Sequence, residues 1–326
     1  MKPVDFSRFF NPLYVLIAGL LGVGIILFLF SSYFPLSCQG GGTPFFCAPG
    51  FFVVFFLMTI LWCMITILFI PGLGMFIWLF KRYVAKKGNH YRSSAIIQLL
   101  VVAILLVGST VLVQGSLTQI YPEAQSQWNR DVPAGVQRII NINSASLFLV
   151  FLPYIFGMFL VYLVVRESSL SIQDTTEFKN NLSFVVIDDL RTYRKMLQVL
   201  LVVCGVLLSM IPLIVVAIRS ILITIDPTFG AIFPVTYVIF QGLSFTLLLL
   251  FIYFPIYLEL AVAGQNVRDI LCPLDSVDNL KNTLEKRKAL DGLLQTEINF
   301  ATNLKSGILT LSPLISSLLV LLGIKT

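Results

Sequence analysis

Phe51-Phe52-Val53-Val54-Phe55-Phe56-Leu57 opens an apolar run that continues, without a charged residue, to Phe80. A helix rises about 1.5 Å per residue, so about 20 such residues cross a hydrocarbon core of about 30 Å. The run has no alternation of apolar and polar positions, which a membrane β-strand would need. It therefore reads as a membrane-crossing helix, whose backbone polar groups are paired within the segment.

Outward from this run the pattern repeats. Further apolar stretches occupy 12–34, 94–115, 147–165, 196–225, 233–263 and 304–324, giving about seven spans in all. Hydrophobic residues make up 57% of the chain and charged residues 12%, and the mean hydropathy is +0.93. The fold class expected is all-α: a polytopic transmembrane helical bundle with a small helical cytoplasmic subdomain. Two regions are read, 1–165 with four spans and 166–326 with the longer helices. Their charge and proline patterns do not align, which weakens an inverted-repeat transporter.

Charge orients the chain. All of the 22 basic residues except Arg130, Arg138, Arg219 and Lys325 fall on one side of this topology. Positive residues are retained on the cytoplasmic side. The N-terminus is therefore expected inside, in the plasma (inner) membrane, with odd-numbered connections outside. Topology accounts for the basic pI of about 9.1, and no nucleic-acid partner is required. The apolar stretch Leu13 to Phe30 is too long for a signal peptide and no small-x-small site follows it, so it is read as a retained first span.

Cys38 and Cys47 bracket a Gly-rich stretch of the first outward loop. In an oxidising compartment they are expected to form a disulfide, stabilising by roughly 2–3 kcal/mol. Cys63, Cys204 and Cys272 read as small packing residues. The chain has a single histidine, His90, so no usual zinc site assembles, and no cofactor is expected. Asp188-Asp189 before Arg191, Arg194 and Lys195 is a partial match to a diphosphate–Mg²⁺ site. No second acidic motif follows, and acids at a helix start are explained by its dipole.

Span five and its extension run from Asp188 to Thr224, and span six from about Pro234 to Leu271; both exceed what the bilayer needs. A further helix over 276–303 places Leu280, Leu284, Leu290, Leu294 and Ile298 at three-to-four spacing. These residues are the candidate partner-binding helix, and the extensions of spans five and six are its nearest support. The loop 116–146 reads as ordinary connection, with Tyr121-Pro122 and Val132-Pro133 as turn signals. Ala18 with Gly22, and Gly205 with Ser209, are small residues four apart that mark close helix contacts.

Intramembrane polar groups are the candidate pathway: Gln241, Ser244, Thr246, Glu259 and Arg219, with Gln98, Thr110 and Gln114 as further candidates. Glu259 is expected to pair with Arg268 or Arg194, and Arg219 to snorkel. The leading reading is a non-enzymatic membrane subunit or effector that presents a cytoplasmic helical platform to a protein partner or a second copy. The alternative is a channel or transporter lined by spans five to seven, and a membrane-embedded enzyme trails both. The last span, 304–324, is the least apolar. It is expected to cross, with a re-entrant turn at Pro313 as the alternative.

Overall fold

The computed structural model describes residues 12–33, 51–87, 134–173, 183–232, 234–273, 280–294 and 310–318, with the single positions 126 and 308. Among the described residues the protein is all-helical, with no strand. In chain order the helices are α1 (Pro12–Tyr33), α2 (Phe51–Lys87), α3 (Ala134–Gln173), α4 (Ser183–Ile225), α5 (Phe229–Ile232), α6 (Val235–Leu271), α7 (Leu280–Leu294) and α8 (310–318). Four of them, α2, α3, α4 and α6, are long and apolar enough to cross a membrane; α1 contributes a shorter apolar stretch, Tyr14–Phe28. The third expected span, 94–115, the disulfide candidates Cys38 and Cys47, and Gln98, Thr110, Gln114 and Ile298 lie outside the described residues.

One boundary is corrected. Residues 134–146 are helical, forming the first turns of α3, where a loop was expected. Arg138, Asn141 and Asn143 lower the hydropathy there without breaking the helix, and Pro133 suits a helix start because its missing N–H would have had no partner. Polarity marks where a helix leaves lipid, not where it ends.

In α3, 67% of the apolar window is buried, against 28% in each of α2 and α6, so α3 is the central helix. Its Tyr154, Met158, Val161 and Val164 are fully enclosed. Gly157 sits where α2, α3 and α4 meet: a Cβ there would lie 3.3 Å from Leu200 and 3.7 Å from Leu79. One buried cluster runs continuously from Ile26 on α1 to Leu294 on α7, joining the two regions read from sequence. The outer faces are apolar too. Phe240, Leu243, Leu247, Leu250, Phe254 and Leu258 form an exposed stripe along α6, and Phe52, Phe56, Ile70, Leu73 and Ile77 an exposed set on α2. Such surfaces are far larger than soluble proteins leave in water, and hydrocarbon chains cover them without penalty.

Each long helix carries one internal proline: Pro71, Pro153, Pro212 and Pro255. Proline removes the N–H that would bond the carbonyl four residues back, which at Pro71 leaves Ile67 O. The Tyr14 hydroxyl of α1 donates to Ile67 O and Thr66 O, each at 3.0 Å. From α3, the Tyr154 hydroxyl donates to the adjacent Leu68 O at 2.5 Å. Gly72 makes room for that tyrosine, since a Cβ would fall 2.5 Å from its ring. The α1–α2 seam is equally tight. A Cβ on Gly22 would stand 2.8 Å from Cys63 Cα, and Thr66 Oγ1 donates to Ala18 O at 2.7 Å. This is the close contact that the Ala18–Gly22 spacing announces. In Gly205–Ser209, the Ser209 hydroxyl bonds back to Gly205 O at 2.6 Å.

Candidate functional site: a charged collar and a polar seam

The polar ends of four helices gather at one end of the bundle. On α2, Arg82 follows the apolar run, and its guanidinium pairs with Asp189 on α4. The same group lies 5.1 Å from the centres of the Trp78 and Tyr193 rings. Stacking of this kind is worth up to about 2 kcal/mol when desolvated, and suits the flat arginine head. Asp189, the second acid of the partial Mg²⁺ motif, is thus committed to an arginine. Asp188, one residue away and so about 100° round the helix, is exposed.

About one and a half turns along α4, Arg194 is buried, 8% exposed. It donates to the backbone carbonyl of Leu294, the last residue of α7, and lies 5.8 Å from the Tyr257 ring of α6. A cation at a helix C-terminus meets carbonyls that lack partners in the helix. The other links run between α6 and α7. Arg268 holds Asp291 through two bonds of 3.1 and 3.2 Å, and Asp269 through one of 2.9 Å. Arg287 reaches back to Asp269. The α7 helix is therefore fixed at both α4 and α6.

Fixing it this way sorts the leucines. Leu294 is buried and Leu290 half-buried on the inward face, beside Thr283, Arg287 and Asp291. Leu284, 51% exposed, lies at the edge, and Leu293, 55% exposed, points away from the bundle. Leu280 opens the helix. The stripe read from sequence is thus divided between an internal contact and an outer face.

Glu259 is half-buried and forms no ion pair with a described residue. The expected partners are engaged elsewhere, Arg268 with Asp269 and Asp291, and Arg194 with Leu294 O. Arg219 is buried near the far end of α4. Beyond it Asp226 closes the turn into α5. The Asp226 carboxylate accepts the Thr228 hydroxyl at 2.7 Å and the Thr228 N–H at 2.9 Å, which holds its pKa below the usual carboxylate range.

The second polar feature lies in the apolar zone, where α8 meets α6. Thr246 Oγ1 is buried and accepts the Leu314 N–H at 3.2 Å. A Cβ on Gly242 would stand 2.5 Å from Ser317 Oγ and 2.7 Å from Pro313 O. Ser316 and Ser317 turn their hydroxyls back to Pro313 O and Leu314 O at 2.8 and 2.7 Å. Nearby, Gln241 Oε1 is buried with no partner among the described residues. Ser244 instead bonds back to Phe240 O at 2.8 Å. Around α6, Gln241 and Ser244 share one face while Thr246 lies about 140° round from Gln241, and Glu259 lies about 27 Å along the axis from Gln241. The structure brings Thr246 to α8, and gathers no single cluster from the candidate pathway residues. Comparison with protein-family models, curated proteins and solved structures returned no match.

Proposed function

We propose that the protein is a non-enzymatic, multi-pass membrane subunit or effector whose charged end presents a helical platform to a protein partner. The observation that carries this reading is the mounting of α7. Arg194, Arg268 and Arg287 fix its inward face to α4 and α6, while Leu293 stays exposed on the face turned away from the bundle. A rigidly held helix loses little conformational entropy when a partner docks. In this reading the charged end is cytoplasmic, the N-terminus lies inside, and the chain crosses about seven times.

The crossing of 304–324 has its own support. Ser317 lies level with Gly242, and Leu314 with Thr246, so α8 runs antiparallel to α6. Cysteine labelling of Thr326→Cys tests this. Modification by impermeant reagent from outside is expected, and modification only from inside rejects the seven-span topology.

The platform itself is tested by co-purification. Removal of 276–303, and separately Leu293→Glu, is expected to abolish recovery of a cytoplasmic partner while insertion is kept. Retention of every partner by both variants rejects the platform. A channel or transporter is the second reading, favoured by the buried Gln241 Oε1. It predicts conductance in a planar bilayer that Gln241→Leu and Glu259→Gln alter.

A further inference from the structure

The collar divides its cations by kind. Those that bridge helices are all arginines: Arg82, Arg194, Arg268 and Arg287 take up Asp189, the Leu294 carbonyl, Asp269 and Asp291. Among the described residues at this end, the exposed cations with no ion pair are Lys81 on α2, Arg191 and Lys195 on α4, and Lys281, Lys286 and Lys288 on α7, five of the six being lysines. Among the described residues at this end, only Asp188 and Glu285 are exposed carboxylates outside those bridges. With Asp189, Asp269 and Asp291 taken up inside the collar, the exposed cations among the described residues at this end outnumber the exposed carboxylates outside the bridges.

The level of this surface matters as much as its sign. Lys81 and Arg82 end the apolar run of α2, Arg191 and Lys195 precede that of α4, and Arg268 and Asp269 follow that of α6. Because Arg82 touches Asp189, and Arg194 touches α7, these transitions lie close together in space. They mark the plane where hydrocarbon gives way to headgroups. Lys281, Leu284 and Lys288 share one edge of α7, a leucine between two flexible ammonium groups. Lysine stems can bend toward a phosphate at this depth while their methylenes stay on apolar surface.

We infer that the exposed lysines of the collar form a docking surface for anionic phospholipid headgroups, which hold the charged end and α7 against the membrane plane. The phosphate oxygens supply the negative charge that the internal aspartates, bound to arginines, do not offer. This rests on the membrane-crossing helices and not on the platform, since headgroups meet the edge of α7 and a protein partner would meet Leu293.

The test is a titration of the full-length protein in neutral detergent micelles with fluorescent phosphatidylserine and phosphatidylcholine. Phosphatidylserine is expected to bind at least about tenfold more tightly, a preference lost at 0.5 M salt. The triple exchange Lys281→Gln, Lys286→Gln and Lys288→Gln lowers that preference by roughly fivefold for each headgroup contact removed. The corresponding triple Arg exchange retains it, which separates loss of charge from damage to the fold. Leu293→Glu also retains it, so failure of the platform leaves this surface standing. Equal binding of the two lipids, or an unchanged preference in the Gln variant, overturns the inference. So does displacement by glycerophosphoserine at the lipid's own concentration, which identifies a free-anion site, or tighter binding of polyglutamate, which identifies an acidic-protein surface.

Discussion

Gly242→Ala is expected to loosen α8 from α6, by an amount that the geometry bounds. The added methyl would meet Ser317 Oγ at 2.5 Å, Pro313 O at 2.7 Å and Ser317 Cβ at 2.8 Å. Ordinary carbon contacts lie near 3.5–4.0 Å, so the two helices must separate by about 1 Å. One of the three atoms is a backbone carbonyl beside proline and another is a Cβ, so rotation of a side chain relieves only the contact with Oγ. Overpacking of this kind costs about 1–3 kcal/mol. Separation also stretches the Thr246–Leu314 bond of 3.2 Å, worth about 0.6 kcal/mol within a membrane. The expected loss is therefore about 2–3 kcal/mol, read by reversible unfolding in mixed micelles. Ser317→Gly removes two of the three clashes, so the double variant should recover part of the loss, with a coupling of about 1 kcal/mol. A neutral Gly242→Ala, or strict additivity with Ser317→Gly, would refute the close packing of α8 on α6.

Further outcomes follow from the other seams and the collar. Tyr14→Phe and Tyr154→Phe should each destabilise by about 0.6 kcal/mol, and by no more than about 1.7, since the first leaves the Ile67 carbonyl at the Pro71 bend without a donor and the second removes an interhelical bond to the adjacent Leu68 carbonyl; the same unfolding assay reads this. Arg82→Lys keeps the charge but loses the flat stack on Trp78 and Tyr193, and should cost about 1 kcal/mol. Asp189→Asn leaves a largely enclosed guanidinium unpaired and should cost more, about 2 kcal/mol, between the values for exposed and buried pairs. The folded pKa of Asp226 is lowered, so its ionised form stabilises the turn fully above the unfolded value of about 3.9, and this contribution fades as pH falls through the folded pKa. The difference between the melting curves of wild type and Asp226→Asn should therefore be full at pH 7 and shrink as pH falls below the unfolded value of about 3.9; a difference that grows over that range would contradict this assignment.

Hydropathy made the long helices legible because spans such as 51–80 carry no charge that a second reading could use. The same measure misplaced the start of α3, because Arg138, Asn141 and Asn143 are polar yet helical. Small residues four apart predicted the Gly22–Cys63 contact on α1, since only lost bulk allows backbones to approach so closely. The partner of a charged side chain was not legible. Glu259 looked ready for Arg268, nine residues away, but Arg268 faces α7 and binds Asp291 there. Asp189 and Arg82 are separated by 107 positions, and nothing in their local sequence links them. Nor does spacing reveal that Leu290 and Leu294 turn inward while Leu293 turns out. That division depends on which side of α7 the arginines grip.

The tyrosines at Pro71 decide where this molecule can bend. A proline in a membrane helix becomes a joint when its orphaned carbonyl can exchange partners as the axis flexes. Here the Tyr14 hydroxyl holds the orphaned Ile67 carbonyl and the Tyr154 hydroxyl the adjacent Leu68 carbonyl, so bending α2 at this point would strain both bonds. The bend in α2 is thereby held by α1 and α3 together, and flexing it would require both neighbours to yield.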